Sequence, residues 1–301
     1  MGQSLGIFGY STNDEDDDEV LRRFTRKWAS RLHHTESFPD LKLLPPEISL
    51  QILSNVDARE LRLCKEFWEE LVNDDFLWKR LCYLHWGYCS AYSTPRASQG
   101  PHFWKSLFSS LESATERFNT YVTDESYSGI SMFQSMSILT DNPYDIAEFL
   151  FSTDLLKTSH VLALLQQRRD VLTIYLTKHD FTGWFLPIAM RSFFFKLNLS
   201  ARHVSPFLAY IFEIFSKHYC DCNPSFTQVA VTIVMLSLVM LSNDLRNPSI
   251  KNKMSKREYI KNTLQALDGQ ANGPIDIDYL GHTYDNVYLI GHVAPEKLDG
   301  L

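Results

Sequence analysis

Positive charge is in short supply. The chain has 29 Lys and Arg against 36 Asp and Glu, a formal charge of −7, which excludes the broad cationic surface that nucleic-acid binding calls for. There is no glycine-rich phosphate loop and no signature of a Ser-His-Asp or Cys-His nucleophile. Long apolar runs are also missing. The longest, Val229 to Leu241, is broken by Thr232 and Ser237. At about a dozen residues it falls short of the roughly 20 that cross a bilayer, so a buried core helix is expected there. The opening MGQSLGIFGYSTNDED lacks the charged start and apolar stretch of a secretory leader. Cysteine is sparse and odd in number: Cys64, Cys82, Cys89, Cys220 and Cys222. Free thiols in a reducing cytosol or nucleus are the simplest reading, and a cytoplasmic chain is expected. His218, Cys220 and Cys222 lie close together but lack the fourth ligand and the Cys-x-x-Cys knuckle of a structural zinc site. No metal and no cofactor are expected. The myristoylation signal wants Ser or Thr at the sixth position, where this chain has Gly6.

Hydrophobic residues make up 45% of the 301 and charged residues 22%, enough apolar material for a real core. The length suggests two domains plus tails. Asp14 to Glu19 form one unbroken acidic run, and residues 1–19 offer nothing to bury. Over 20–32 the pattern changes. Leu21, Phe24, Trp28 and Leu32 line one helical face and Arg22, Arg23, Arg26, Lys27 and Arg31 fill the others. Such a basic amphipathic helix lies on an anionic membrane, docks in a partner's groove, or folds onto its own protein. Residues 1–36 are therefore read as a tail containing this helix.

Residues 41–86 read LKLLPPEISLQILSNVDARELRLCKEFWEELVNDDFLWKRLCYLHW. Pro45 and Pro46 suit a first helical turn, and Glu47 favours the helix dipole. Ile48, Ile52, Leu53 and Val56 make an apolar stripe. A second helix is expected through Leu61, Cys64, Trp68 and Leu71, and a third through Phe76, Leu77, Trp78 and Leu81. A block of about 45 residues is too small to bury that much aromatic surface alone. The ordered positions Leu44-Pro45-x-Glu47-Ile48, Ile52-Leu53, Leu61, Trp68, Leu71, Asp75 and Leu77-Trp78 resemble an F-box, taken to span 37–90. The usual Val-Cys ahead of Lys and Trp is displaced into Leu63-Cys64-Lys65-Glu66-Phe67-Trp68. The resemblance implies docking on the adaptor Skp1, and through it a cullin. It makes Leu44, Pro45, Ile48, Ile52, Leu53, Leu61, Trp68, Leu77 and Trp78 the Skp1-facing set and its support.

Residues 91–120, with Pro95, Gly100 and Pro101, read as a junction ending in a short helix of Phe103, Trp104, Leu107, Phe108 and Leu111. From about 121 the apolar residues recur at three and four. Punctuation falls at Gly129, Asn142-Pro143, Pro187, Asn223-Pro224, Asn247-Pro248 and Gly273-Pro274, so an all-α domain is expected. The segments YCDCNPSF (219–226), IVMLSLVMLSNDLRNPSIKNKMSKREYIKNT (233–263) and LGHTYDNVYLI (280–290) resemble the C-terminal half of a Sec7 domain, the guanine-nucleotide exchange module for Arf GTPases. GISMFQ, DNPYDIAEFLF and RRDVLTIYLTKHDF resemble its N-terminal half. The Sec7-like region is placed at 121–291, with a tail at 292–301. The resemblance implies a groove for Arf at Met235, Leu238, Asn243, Asp244, Asn247, Met254 and Tyr259. For most of the apolar residues here, plain core is the competing reading. Lys251, Lys253, Lys256, Arg257 and Lys261 add a cationic face that either is merely solvated or steers an acidic partner.

The resemblance also implies a glutamate on the loop before Tyr219-Cys220, thrust at the Mg²⁺ and β-phosphate of the bound nucleotide. Matching the pattern puts Val204 there. No Asp or Glu lies between Phe195 and Phe212, and the first acid, Glu213, is about nine residues on. That is roughly 13 Å along a helix, too far to substitute. The expectation is an all-α protein, F-box helices followed by a multi-helix Sec7-like domain. It would select an Arf-family GTPase for a Skp1–cullin–F-box ubiquitin ligase and regulate Arf signalling without exchange activity. The alternatives are an exchange factor of Sec7 type and a scaffold for another partner.

Overall fold

The computed structural model describes residues 41–95, 98–120, 126–200, 205–268 and 274–295. The acidic run, the basic segment 20–32 and Val204 lie outside the described residues. Among the described residues the chain is helical with no strand. It divides into two compact units, Met1–Leu81 with Pro101–Lys105 and Cys82–Gly100 with Ser106–Leu301.

The first unit opens on a 3₁₀ turn, Leu41–Leu43, and then α1, Pro46–Leu53. Pro45 is the N-cap and Pro46 the first helical residue, with Glu47 in the first turn. The buried Ser49 donates its hydroxyl to the Leu41 carbonyl at 2.6 Å, tying the turn to the helix. α2, Ala58–Leu63, starts from a capping box in which Asp57 and Glu60 exchange side-chain-to-backbone bonds. α3, Lys65–Val72, follows, and Trp68 within it has φ −135° and ψ 50°. The single helix expected through Leu61 and Leu71 is therefore two short ones, with a break at Trp68. That stretch contains no Gly or Pro, so tertiary packing sets the break; α2 and α1 both pack on α3. α4, Asp75–Trp86, begins in this unit. Leu41, Leu53, Leu61, Val72, Leu77 and Trp78 form its core, and the Trp78 indole N–H donates to the Val72 carbonyl at 2.7 Å.

The second unit is built on α5, Phe103–Thr120; α6, Ser126–Ser135; α7, Pro143–Ser152; α8, Thr158–Gln167; and α9, Arg169–Thr177. It continues with α10, Leu186–Lys196; α11, Pro206–Cys222; α12, Gln228–Arg246; α13, Lys256–Leu267; and α14, Ile277–Ile290. Most of the expected punctuation falls at helix ends. Asn142 caps α7 through its side chain, Pro187 lies in the first turn of α10, and Asn223 and Asn247 close α11 and α12. Ser205, Ser255 and Asp276, which are not among it, also cap N-termini through their side chains. Gly129 is different: α6 runs through it. α5 is also longer than the short helix expected in the junction.

α9 packs on α7, α8 and α11, while α12 packs on α10, α11, α13 and α14. By length and composition α12 could cross a membrane. Its Ala230, Val231, Val234, Met235, Leu238 and Leu241 are nevertheless wholly enclosed by those neighbours, which makes it a core helix. Phe181, Phe193, Phe194, Phe215 and Tyr219 form an aromatic layer beside it, the phenylalanines meeting edge-on or tilted and Tyr219 stacked on Phe215.

Candidate functional site

On the first unit, exposure sorts the candidate residues. Leu53, Leu61, Leu77 and Trp78 are buried and hold the helices together. Leu44 and Trp68 are half-buried, while Pro45 and Pro46 are exposed. Ile48 and Ile52 point outward, 45% and 38% exposed, and Leu43 is 80% exposed. Ile48 and Ile52 are four apart on α1 and so share one face. That face, with the two prolines, is an apolar surface; Phe76, 56% exposed, is a further outward side chain of this unit.

On the second unit, Met235, Leu238 and Tyr259 are fully buried. They support α12 and α13 and present no surface. Asn243, Asp244 and Met254 are half-buried and Asn247 is exposed. Val229, Leu236 and Met240 face outward from α12, at spacings of seven and four. Sequence reasoning missed them because α12 is apolar nearly all round, so residue type does not mark the outer side. The polar Thr232, on the same stripe, is the signal that marks it.

The polar motif folds the chain onto itself. The Asp244 carboxylate accepts from the Met254 amide at 2.6 Å. Asn247 Oδ1 accepts from the Ser249 amide at 3.0 Å. The Lys253 ammonium donates to the carbonyls of Asp244 and Asn247, which complements the C-terminal end of α12. The Tyr284 hydroxyl donates to the Met254 carbonyl at 2.9 Å. The residues chosen as a recognition motif thus clamp the loop between α12 and α13. Of the basic run, Lys256 pairs with Asp285 at 2.6 Å, while Lys251, Arg257 and Lys261 are exposed.

Glu213, the first acid after the missing position, is exposed on α11. Seven residues in from Pro206 it is about 10 Å along the helix axis, in the helix and not on the loop before it. His218 Nε2 lies 2.7 Å from the His179 carbonyl and 3.8 Å from the Cys222 sulfur. Burial, with Asp221 beside it, pushes the Cys220 thiol up to about 11, which keeps it protonated. Arg168, at the joint of α8 and α9, reaches Asp141 at 2.9 Å and Asp170 at 2.8 Å. The bonds it donates to Asp170 and Asp141 hold its guanidinium charged and pull both acids below their usual range. It is a charge cluster joining two helices.

Comparison with known proteins matches the Sec7 domain family over residues 108–289 and the F-box-like family over 41–84. F-box only protein 8 from Homo sapiens is 40% identical over 272 residues, covering 88% of this chain and 82% of the relative. The Mus musculus protein of that name is 39% identical with the same coverage. Brefeldin A-inhibited guanine nucleotide-exchange protein 1 from Homo sapiens is 30% identical over 169 residues, 53% of this chain and 9% of that protein. Among solved structures, a Sec7 domain bound to ARF1-GDP and complexed with brefeldin A superposes with a TM-score of 0.53 at 24% identity, covering 66% of this chain and 100% of that one.

Proposed function

This chain belongs to the Sec7 domain family and carries an F-box-like segment, and from that premise we propose that it is the substrate-recognition subunit of a Skp1–cullin–F-box ubiquitin ligase. In this reading α1 docks on Skp1 in the cytoplasm, and the Sec7 domain holds an Arf-family GTPase. The observation that carries it is the exposed apolar face of Pro45, Pro46, Ile48 and Ile52, ahead of a Sec7 fold whose segment from Lys196 to Ile211 contains no carboxylate. Holding a GTPase needs a surface. Expelling its nucleotide needs a charge near the phosphates, and a valine at position 204 supplies none. The GTPase is thereby selected for ubiquitin transfer and not activated.

A second reading is exchange on Arf. It is favoured by the match to the brefeldin A-inhibited exchange protein. Release of a fluorescent nucleotide from purified Arf, with the full-length protein in excess, separates the two. Adaptor function predicts release at the spontaneous rate together with retention of Arf and Skp1 on the immobilised protein. Accelerated release establishes the exchange reading, and failure to retain Arf in any nucleotide state removes it as the target.

A further inference from the structure

The last turn of α14 carries three large apolar side chains in a row. Tyr288, Leu289 and Ile290 are 63%, 76% and 63% exposed. Consecutive helical residues point about 100° apart, so together these three wrap more than half of the helix. A helix made to lie in a protein groove exposes residues three and four apart along one stripe. Here the exposed apolar surface spans about 200° of a helix end, and only the side at Val287 is buried. Beyond it the chain turns at Gly291, with φ +114°, and re-enters the fold, where Val293 and Ala294 are buried.

The tip is firmly held. Arg191 donates to the carbonyls of Gly291 at 2.8 Å and His292 at 2.9 Å. Ser242 Oγ and His292 Nδ1 are 2.7 Å apart. Tyr288 stacks on Tyr284, which grips Met254. The tip also has cationic neighbours. The Arg246 guanidinium reaches the turn itself, 3.1 Å from where a Cβ on Gly291 would stand. Lys251 is exposed on the loop that Tyr284 grips, while the Lys253 ammonium there is committed to the carbonyls that end α12. Among the described residues, Asp285 pairs with Lys256, Asp244 accepts from the Met254 amide, and Glu258 closes the capping box of α13.

We propose that this tip is a membrane-docking element, in which Tyr288, Leu289 and Ile290 enter the headgroup–acyl boundary of an anionic bilayer and Arg246 and Lys251 meet its headgroups. A fluid bilayer conforms to so wide an apolar arc, which a groove shaped for a single stripe does not. Tyrosine suits that depth, with its ring apolar and its hydroxyl wet. Cations at an anionic surface add attraction that salt screens. The proposal is independent of GTPase binding, because it needs no Arf.

Co-sedimentation of the full-length protein with phosphatidylcholine vesicles containing phosphatidylserine tests it. Leu289→Ser with Ile290→Ser is expected to weaken partition by about tenfold or more. Arg246→Glu is expected to weaken it mainly at low salt. All three side chains are exposed, so an unchanged melting temperature confirms folding. The basic segment 20–32 is controlled by repeating both variants with Arg22, Arg23, Arg26 and Lys27 changed to alanine, where the tip substitutions should remove the remaining binding. Partition unaffected by the tip substitutions in both backgrounds overturns the proposal. So does light scattering that shows a dimer dissolved by them while vesicle binding persists, which would make the tip a contact between two copies.

Discussion

Ile48 and Leu53 lie five residues apart on α1 and do different jobs. Leu53 is 2% exposed, so Leu53→Ala should cost about 2–5 kcal/mol, read as a lowered denaturation midpoint of the full chain. Ile48→Asp with Ile52→Asp changes surface, so stability should shift by only about 0.5 kcal/mol while retention of Skp1 is lost. A double variant that unfolds would place these side chains in the core and remove the docking argument. His179 shows a different dependence on surroundings. Its ring stacks on Phe181 at 5.6 Å and meets Phe151, Tyr175 and Phe193 edge-on. Its Nε2 is buried without a hydrogen-bond partner. Burial, then the charges of Lys196 and His218, lowers its pKa to about 4. The unfolded chain therefore takes up the proton first as pH falls. Stability from this group is complete above the ordinary histidine value and is lost progressively down toward pH 4, by up to roughly 1.4 kcal/mol per pH unit. His179→Phe should flatten that part of the dependence of the urea midpoint between pH 7 and 5; an equal slope in both proteins would show that another group titrates.

Among the elements, the joint between α4 and α7 depends on one glycine. Gly87 has φ +56°, and a Cβ there would lie 2.8 Å from both Cβ and the carbonyl oxygen of Ser152. Ser152 and Thr153 donate their hydroxyls to the carbonyls of Trp86 and His85 at 2.8 and 2.9 Å, so neither side can retreat without breaking bonds. Gly87→Ala should cost at least about 2 kcal/mol by denaturant titration. Likewise, Asp244→Ala leaves the Met254 amide without its acceptor, at about 1–2 kcal/mol. Amide exchange should then speed up through 248–256 while α7 and α9 keep their protection; uniform acceleration would refute a local clamp. The helices were legible because apolar spacing marks their bodies and prolines or asparagines mark their ends, as at Pro45-Pro46, Asn142-Pro143 and Asn247-Pro248. Three things were not. The break at Trp68 has no local breaker. Gly129 is tolerated inside α6. The outward side of α12 is nearly as apolar as its inward side, so residue type could not show that Met235 and Leu238, placed in the groove by resemblance, are buried. Asn243, Asp244 and Asn247 stood out as polar letters in an apolar run, but their role as a clamp depends on where Met254 and Tyr284 arrive in space.

At the scale of the whole molecule, the two units call for separable functions. The exposed apolar face of α1 belongs to the first, and the Sec7 match lies in or beyond α5. An adaptor must hold both partners at once, whereas an exchange factor must let its GTPase go. The absence of any acid from Lys196 to Ile211 bears on that difference, because exchange of Sec7 type depends on a carboxylate there. The expected outcome is a ternary complex. Immobilised Skp1 should capture Arf only when the full-length protein is added, and added nucleotide should not dissolve the complex as it would an exchange intermediate. Ile48→Asp with Ile52→Asp should abolish capture on Skp1 while the variant, immobilised directly, still retains Arf. If the variant loses both partners, the functions are not separable and the division of labour is wrong. If nucleotide releases Arf from the wild type at once, the protein behaves as an exchange factor, and the carboxylate it uses lies outside the loop where the family keeps it.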